Sequence, residues 1–342
     1  MIETLTAKNL AIKVIICLAV LLIVMVFCTL IGTQKISINK VFAGPGQEPG
    51  DNIDYEIFNV RFRRIILTAL VGAALACSGV ILQAILRNPL ADPYILGISS
   101  GAGLGAIIAV LSGVTWSSWG GSPIAIFAFA GATLTVWLVW YIGRFAGKSQ
   151  VTSLLLAGVV VNAFFSAVIM FLTSIAKSDQ IRWTVFWLMG SITEKDSPVL
   201  WVSAGCILAG IIALFSICHR LNVLTFGEEE AKALGVDTAK TRVVAFGFAA
   251  FITAIAVSLS GLIGFVGLII PHGVRLVFGP DHRQLLPVSA IIGSAFLVIA
   301  DTLARIVVAP AQLPVGVITA IAGGPFFLVL LAKYTRKVSW LK

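Results

Sequence analysis

Residues 219–242 read His219-Arg-Leu-Asn-Val-Leu-Thr-Phe-Gly-Glu-Glu-Glu-Ala-Lys-Ala-Leu-Gly-Val-Asp-Thr-Ala-Lys-Thr-Arg242. Apolar runs long enough to cross a bilayer flank this stretch on both sides, at 198–218 and from Val243 onward. A polar segment so placed is a loop of a polytopic membrane protein, and it carries helix punctuation of its own. Gly227 precedes Glu228-Glu229-Glu230, and Gly235 follows the turn Ala231–Leu234. Acidic side chains favour a helix start and glycine favours its end. The stretch therefore predicts a compact helical knob on one face of a membrane domain, a feature that usually serves to hold a partner.

Composition supports the membrane reading. Of 342 residues, 59% are hydrophobic and 11% charged, more apolar surface than a soluble chain of this length can hide. The net charge of +9 fits Lys and Arg flanking spans rather than nucleic-acid binding. The five cysteines, Cys17, Cys28, Cys77, Cys206 and Cys218, lie in or beside apolar runs without a Cys-x-x-Cys pair. They read as small hydrophobes, with neither a metal site nor a disulfide framework. The first apolar run, Val14 to Gly32, is longer than a signal-peptide core and reads as a retained span.

At about 20 apolar residues per crossing, the chain reads as a single all-α transmembrane domain over 1–342 with ten spans. They are expected at 13–33, 62–84, 93–111, 122–142, 152–175, 198–218, 242–261, 263–278, 286–308 and 315–333. At Ser260-Gly261 one apolar stretch from Val243 to Ile270 must be folded into two crossings. Cytoplasmic termini leave fifteen of the 24 Lys and Arg inside and nine outside, the sense the positive-inside rule favours. The knob at 219–242 is then cytoplasmic.

Three outer charges crowd into Arg61-Phe-Arg-Arg64 at the mouth of the second span. Two explanations stand: lipid headgroup contact, or docking of an acidic partner outside the cell. Asp301 and Arg305, at i and i+4 near the outer end of the ninth span, read either as a structural ion pair or as a functional one. Gly97, Gly101 and Gly105 share a helix face and predict close helix packing. Ser78-Gly-Val-Ile before Pro89 and Ser260-Gly-Leu-Ile before Pro271 are equally spaced, the mark an inverted repeat would leave. Asn162, the most polar residue of the fifth span, serves either a helix–helix hydrogen bond or solute contact.

Catalytic chemistry is not legible. Gly143-Arg144-Phe-Ala-Gly147-Lys148-Ser149 resembles a phosphate loop but has three residues between its glycines where the motif needs four, and it follows a span instead of a strand. It reads as a basic cytoplasmic turn, so this chain is not expected to hydrolyse ATP. His219, His272 and His282 are scattered, without a triad or a metal-ligand spacing.

Several strings together resemble the FecCD-type permeases, the membrane subunits of ABC importers for ferric siderophores, haem and cobalamin. They are Arg61-Phe-Arg-Arg64 running into Val71-Gly-Ala-Ala-Leu-Ala-Cys-Ser-Gly79, then Gln83, Asn88-Pro-Leu-Ala-Asp-Pro93 and Leu96-Gly-Ile-Ser-Ser-Gly-Ala102. Gly264-Phe-Val-Gly-Leu-Ile-Ile-Pro-His272, Asp281-His-Arg283, Ala300-Asp-Thr-Leu-Ala-Arg305, Leu313-Pro-Val-Gly-Val-Ile-Thr-Ala320 and Gly324-Pro-Phe326 continue the match in order. The resemblance implies a type II importer permease in a bacterial or archaeal plasma membrane. It also implies a second permease subunit, identical or different, two cytoplasmic ABC ATPases that use ATP and magnesium, and an extracytoplasmic binding protein. No cofactor is implied for this chain. Carried over by position, Arg61, Arg64 and Arg305 meet acidic groups of the binding protein, with Asp301 holding Arg305. Arg63 stands where many relatives have proline.

Gly227, Glu228, Glu229, Glu230, Ala231, Leu234 and Gly235 fall on the coupling helices that sit in a cleft of the ATPase. Arg144, Lys148 and Ser149 fall on the cytoplasmic gate, and Asn162 on the pathway-lining helix. A ferric siderophore is the expected cargo, cobalamin or haem the alternatives. An ion-coupled secondary transporter would need acidic residues in mid-membrane, and the chain offers only Asp301.

Overall fold

The computed structural model describes residues 6–46, 50–114, 122–145 and 150–339. These residues form fourteen α-helices, one short 3-10 turn and no strand. In chain order the helices are α1 Ala7–Leu30, α2 Ile38–Phe42, α3 Ile53–Ile85, α4 Ile98–Ser112, α5 Pro123–Phe145, α6 Gln150–Ser174 and α7 Ser178–Leu188. They continue with α8 Ser197–Ser216, α9 Cys218–Leu224, α10 Glu228–Ala233, α11 Thr238–Ser260, α12 Val266–Phe278, α13 His282–Ile306 and α14 Val315–Ser339.

Seven helices are long and apolar enough to cross a membrane: α1, α3, α5, α6, α8, α11 and α13. Shorter apolar helices, Ile98–Ser112, Val266–Phe278 and Val315–Val329, lie on the other three expected spans. All ten apolar runs are thus helical, but their limits move. The second span, expected from 62, begins at Ile53, where the Asn52 side chain caps the Tyr55 amide. The third begins with the 3-10 turn Pro93–Leu96, and its α-helix only with Ile98. The eighth starts at Val266 instead of 263. Two helices were not expected at all: α2, and the amphipathic α7 between the fifth and sixth spans.

The core is built around α3. Its 33 residues make a rod of about 50 Å at 1.5 Å per residue, and its apolar window is 83% buried. It runs antiparallel to α13 with the backbones nearly touching. A Cβ on Gly72 would overlap the Gly293 carbonyl oxygen, and one on Gly293 would overlap Ala76. Along the same seam Ser294 Oγ donates to Ala69 O at 2.7 Å and Cys77 Sγ to Leu286 O at 3.8 Å. Membrane helices gain nothing from excluding lipid, so small residues and hydroxyls supply the adhesion. The expected glycine face does the same for α4 and α5, where Gly101 lies against Gly131 O and Thr135, and Gly105 against Phe127 O.

The join at Ser260-Gly261 breaks the helix between two expected crossings. Gly261 ends α11 with φ +67°, and 261–265 run without helix before Phe265 (φ +69°) opens α12. Non-helical backbone at this depth survives only when protein shields it, and here two other segments do so. Gly190 abuts Leu262 O, Gly261 abuts Trp187 O, and Gly316 abuts Met189 O. Ser191 N donates to Ser260 O at 2.8 Å and Gly316 N to Gly190 O at 3.4 Å. The structure also separates the two similar Ser-Gly strings. Gly79 lies mid-helix against Gly267, whereas Gly261 ends a helix; Pro89 is in a loop and Pro271 inside α12. The local echo is not a shared conformation.

Candidate functional site

Two polar clusters occupy opposite ends of the α3–α13 pair. The first lies at the end where α3 begins and α13 finishes. Arg61, Arg63 and Arg64 sit more than two turns inside α3, which begins nine residues ahead of the expected span. Arg64 forms a two-pronged bond with Asp301, Nε to Oδ2 at 3.0 Å and a terminal NH2 to Oδ1 at 2.8 Å. Its other terminal nitrogen reaches Gln312 Oε1 at 3.4 Å.

Arg305 approaches the same carboxylate, Nε to Oδ2 at 3.3 Å, and donates to Thr302 Oγ1 at 3.1 Å. Asp301 is 1% exposed. The expected Asp301–Arg305 pair therefore exists, but Asp301 is shared, and its better geometry is with Arg64. That partner lies 237 positions away, which no local spacing reveals.

Arg61 is buried as well. It donates to two backbone carbonyls, Leu30 O at the end of α1 (3.5 Å) and Gln34 O in the link that follows (2.8 Å). Arg63 faces Glu194 at 3.9 Å. Two guanidiniums, Arg64 and Arg305, thus share the one carboxylate of Asp301, and Arg61, held by backbone carbonyls, adds a third positive charge to this end of the pair. Arg64 is the one with some exposure, 15% of its side chain. An anionic surface landing here would find a concentrated, incompletely neutralised charge in a poorly solvated setting, where electrostatic attraction is strongest.

The second cluster is the knob. The sequence is correct about its punctuation: α10 spans Glu228–Ala233, Gly227 is its N-cap, and Gly235 follows in the left-handed conformation with φ +79°. Ala231 is fully buried beneath it, while Leu234 and Phe226 stand 67% and 75% exposed. Glu228 pairs with Arg242 at the start of α11, and the hydrogen bond from Arg242 holds its carboxyl below the ordinary value. Glu229 and Glu230 complete an acidic first turn.

The knob is pinned to the bundle. Asn222 Nδ2 donates to Asp281 Oδ1 at 2.7 Å, while Asn222 Oδ1 accepts from His282 N at 2.8 Å and faces His282 Nδ1 at 2.7 Å. Arg87, just past α3, donates to Leu224 O at 3.1 Å. Burial alone would raise the Asp281 carboxyl. Hydrogen bonds from the Arg283 side chain and backbone and from Asn222, with the Arg283 charge, bring it down to about 2. Sequence alone assigns Asn222, Asp281 and Arg87 no site role, although Asp281 falls in one of the matching strings; the signal was a polar side chain facing a helix N-cap from a different loop.

Of the expected gate residues, Arg144 falls in the last turn of α5, so the basic turn is at least partly helix. Lys148 and Ser149 lie outside the described residues. Asn162 is half-buried on α6, its backbone near Gly97. One feature had no counterpart in the sequence reading. A cavity of about 210 Å³ opens between α5, α7 and the end of α11, lined by Trp183, Trp187, Ser122, Ser191, Ser258 and Lys195. Lys195 donates to Thr193 Oγ1 at 3.3 Å. Burial pushes its ammonium below the ordinary value, with Asp196 pulling the other way.

A family model described as the FecCD transport family matches residues 20–333. The cobalamin import system permease BtuC of Halobacterium salinarum is 45% identical over 272 residues, 80% of this chain and 72% of that protein. The hemin transport system permease HmuU of Yersinia pestis is 39% identical over 288 residues, 82% of this chain and 84% of that one. A solved metal-chelate type ABC transporter in an inward-facing conformation superposes with a TM-score of 0.82 at 32% identity, covering 94% of this chain and 98% of that one.

Proposed function

The chain belongs to the FecCD transport family, and from that premise we propose that it is the permease subunit of a binding-protein-dependent ABC importer for a metal chelate or corrinoid. It is a multi-pass plasma-membrane protein. ATP hydrolysis belongs to a separate ATPase, so the energy reaches this chain as movement of its partner. Ten crossings with both termini in the cytoplasm complete the reading, and the second permease subunit is either a copy or a homologue. Apolar side chains on α6 (Leu156, Val160, Phe164) and α8 (Trp201, Val202, Ile212) are 59% exposed or more. They suit lipid and subunit contact.

One observation carries the mechanism: the chain concentrates its two polar clusters at opposite ends of one helix pair. The arginine cluster, Arg64 and Arg305 on Asp301 with Arg61 at the same end, is the docking surface for acidic side chains of the binding protein. The knob from Gly227 to Gly235 is the lever seated against the ATPase. Closure of the ATPase dimer moves the lever, and the permease exchanges outward- and inward-open states. Arg144, Lys148 and Ser149 serve the cytoplasmic gate and Asn162 the pathway.

The cargo is a ferric siderophore in our reading, supported by relatives named for iron chelatin transport at 41% identity. The cobalamin relative at 45% identity favours a corrinoid as the second reading, with haem beside it. The deciding experiment is uptake into proteoliposomes. Uptake requires ATP inside, the ATPase and the binding protein; uptake driven by an ion gradient alone overturns the importer. Retention of ferric hydroxamate or catecholate chelates by the binding protein, against cobalamin and haemin, decides the cargo.

A further inference from the structure

The two clusters are joined by a single pair of helices, and their register is continuous. At the docking end Arg64 of α3 grips Asp301 of α13 at 2.8 Å. Further along, Ser294 Oγ bonds Ala69 O, Gly72 meets Gly293, and Cys77 Sγ bonds Leu286 O. At the far end each helix reaches the knob on its own. Asp281 and His282, the cap and first residue of α13, hold Asn222, and Arg87 beyond α3 holds Leu224 O. Backbones in contact at glycines have no soft side chains between them to absorb a displacement, so the pair moves as one body.

Asn222 is the only side chain of α9 or α10 with a hydrogen bond to α13 among those described, and it makes that connection twice, donating from Nδ2 and accepting at Oδ1. No other residue type of that size gives both. Its immediate surroundings are the Asp281 carboxylate and the His282 ring and amide, with Arg283 on Asp281 from the other side.

We propose that Asn222 is a positioning residue for transport: it fixes the ATPase-facing knob to the inner end of the α3–α13 pair, so that engagement of the outer arginines is felt at the knob. The inference rests on the docking and lever roles proposed above and adds the residue that connects them. It acts through Asp281 and His282 and touches neither cargo nor nucleotide.

The test uses the whole complex, permease with its ATPase and binding protein, in lipid nanodiscs. Asn222→Asp places a second carboxylate 2.7 Å from Asp281 Oδ1 and breaks the clamp by repulsion. Asn222→Asp combined with Asp281→Asn removes the repulsion and rebuilds the bond with donor and acceptor exchanged; Asp281→Asn alone is the control for the cap, since Asp281 Oδ1 also accepts from Arg283 N. The readout is the ratio of binding-protein-stimulated to basal ATPase activity, with binding-protein affinity measured alongside.

The expected result is a ratio lowered about fivefold or more in the single variant, the lower range for coupling between sites. Docking affinity stays within twofold, and the ratio recovers in the double variant. An unchanged ratio in Asn222→Asp overturns the proposal, as does a loss that the exchange fails to restore, since that marks ordinary structural damage. If the wild-type complex shows no stimulation while docking is intact, the lever reading fails and the inference falls with it. If docking is absent, the arginine reading is what fails.

Discussion

Asp301 carries more than a local ion pair can explain. It is 1% exposed and holds two guanidiniums, Arg64 and Arg305. Removing it leaves two charges without a counter-ion, and breaking a buried pair costs about 3–5 kcal/mol. Asp301→Ala is therefore expected to lower the melting temperature of the detergent-solubilised protein sharply, while Arg64→Gln, which keeps a donor on Asp301, lowers it far less. For docking the order reverses. Arg64→Gln weakens binding-protein affinity about tenfold and flattens its dependence on salt, since the charge is lost and screening has less to act on. Equal affinities for wild type and Arg64→Gln would remove Arg64 from the docking surface. Arg61 is a less clean target, because Arg61→Glu also releases the carbonyls of Leu30 and Gln34.

At the scale of elements, the knob and the helix seams make separate predictions. Gly235 sits at φ +79° with no neighbour to clash, so Gly235→Val costs about 1–2 kcal/mol of backbone strain. It tilts α10 without unfolding the bundle: ATP hydrolysis continues and uptake falls. Ala231 has no space beneath it, so Ala231→Phe displaces the whole knob and uncouples more completely. Gly105→Leu acts elsewhere, forcing α4 from the Phe127 carbonyl of α5, and is expected to appear as lost membrane accumulation on immunoblot. The knob and the glycine face were legible because caps and helical periodicity are local. Helix α7 was not, since its apolar residues are interleaved with nearly as many polar ones and no long run stands out. Nor was the start of α12, because nothing in an unbroken apolar run marks where helix gives way to extended chain.

For the molecule as a whole, the class was readable from composition, because a bilayer imposes its length on every crossing. The Arg64–Asp301 and Asn222–Asp281 contacts were hidden, since each joins segments brought together only by the packing of α3, α13 and α9. For the Asn222–Asp281 contact, the charge state of Asp281 sets the range over which it stays intact. The folded Asp281 carboxyl lies near 2, below its ordinary value. Its contribution to stability is therefore complete above about pH 4 and lost only as pH falls through 2. Amide exchange in α9 and α10 is expected to show constant protection from pH 5 to 8 once corrected for intrinsic rates. A step within that window would assign the clamp to another group.

The meeting of Gly190, Gly261 and Gly316 with the carbonyls of Leu262, Trp187 and Met189 makes three distant codons answer to one physical demand. In a saturation library all three positions accept little beyond glycine. Their substitutions combine sub-additively, because once one side chain has pried the strands apart the next finds room already made. Genetic tolerance at that junction is set by the space between backbones, so the three positions mutate as a single locus.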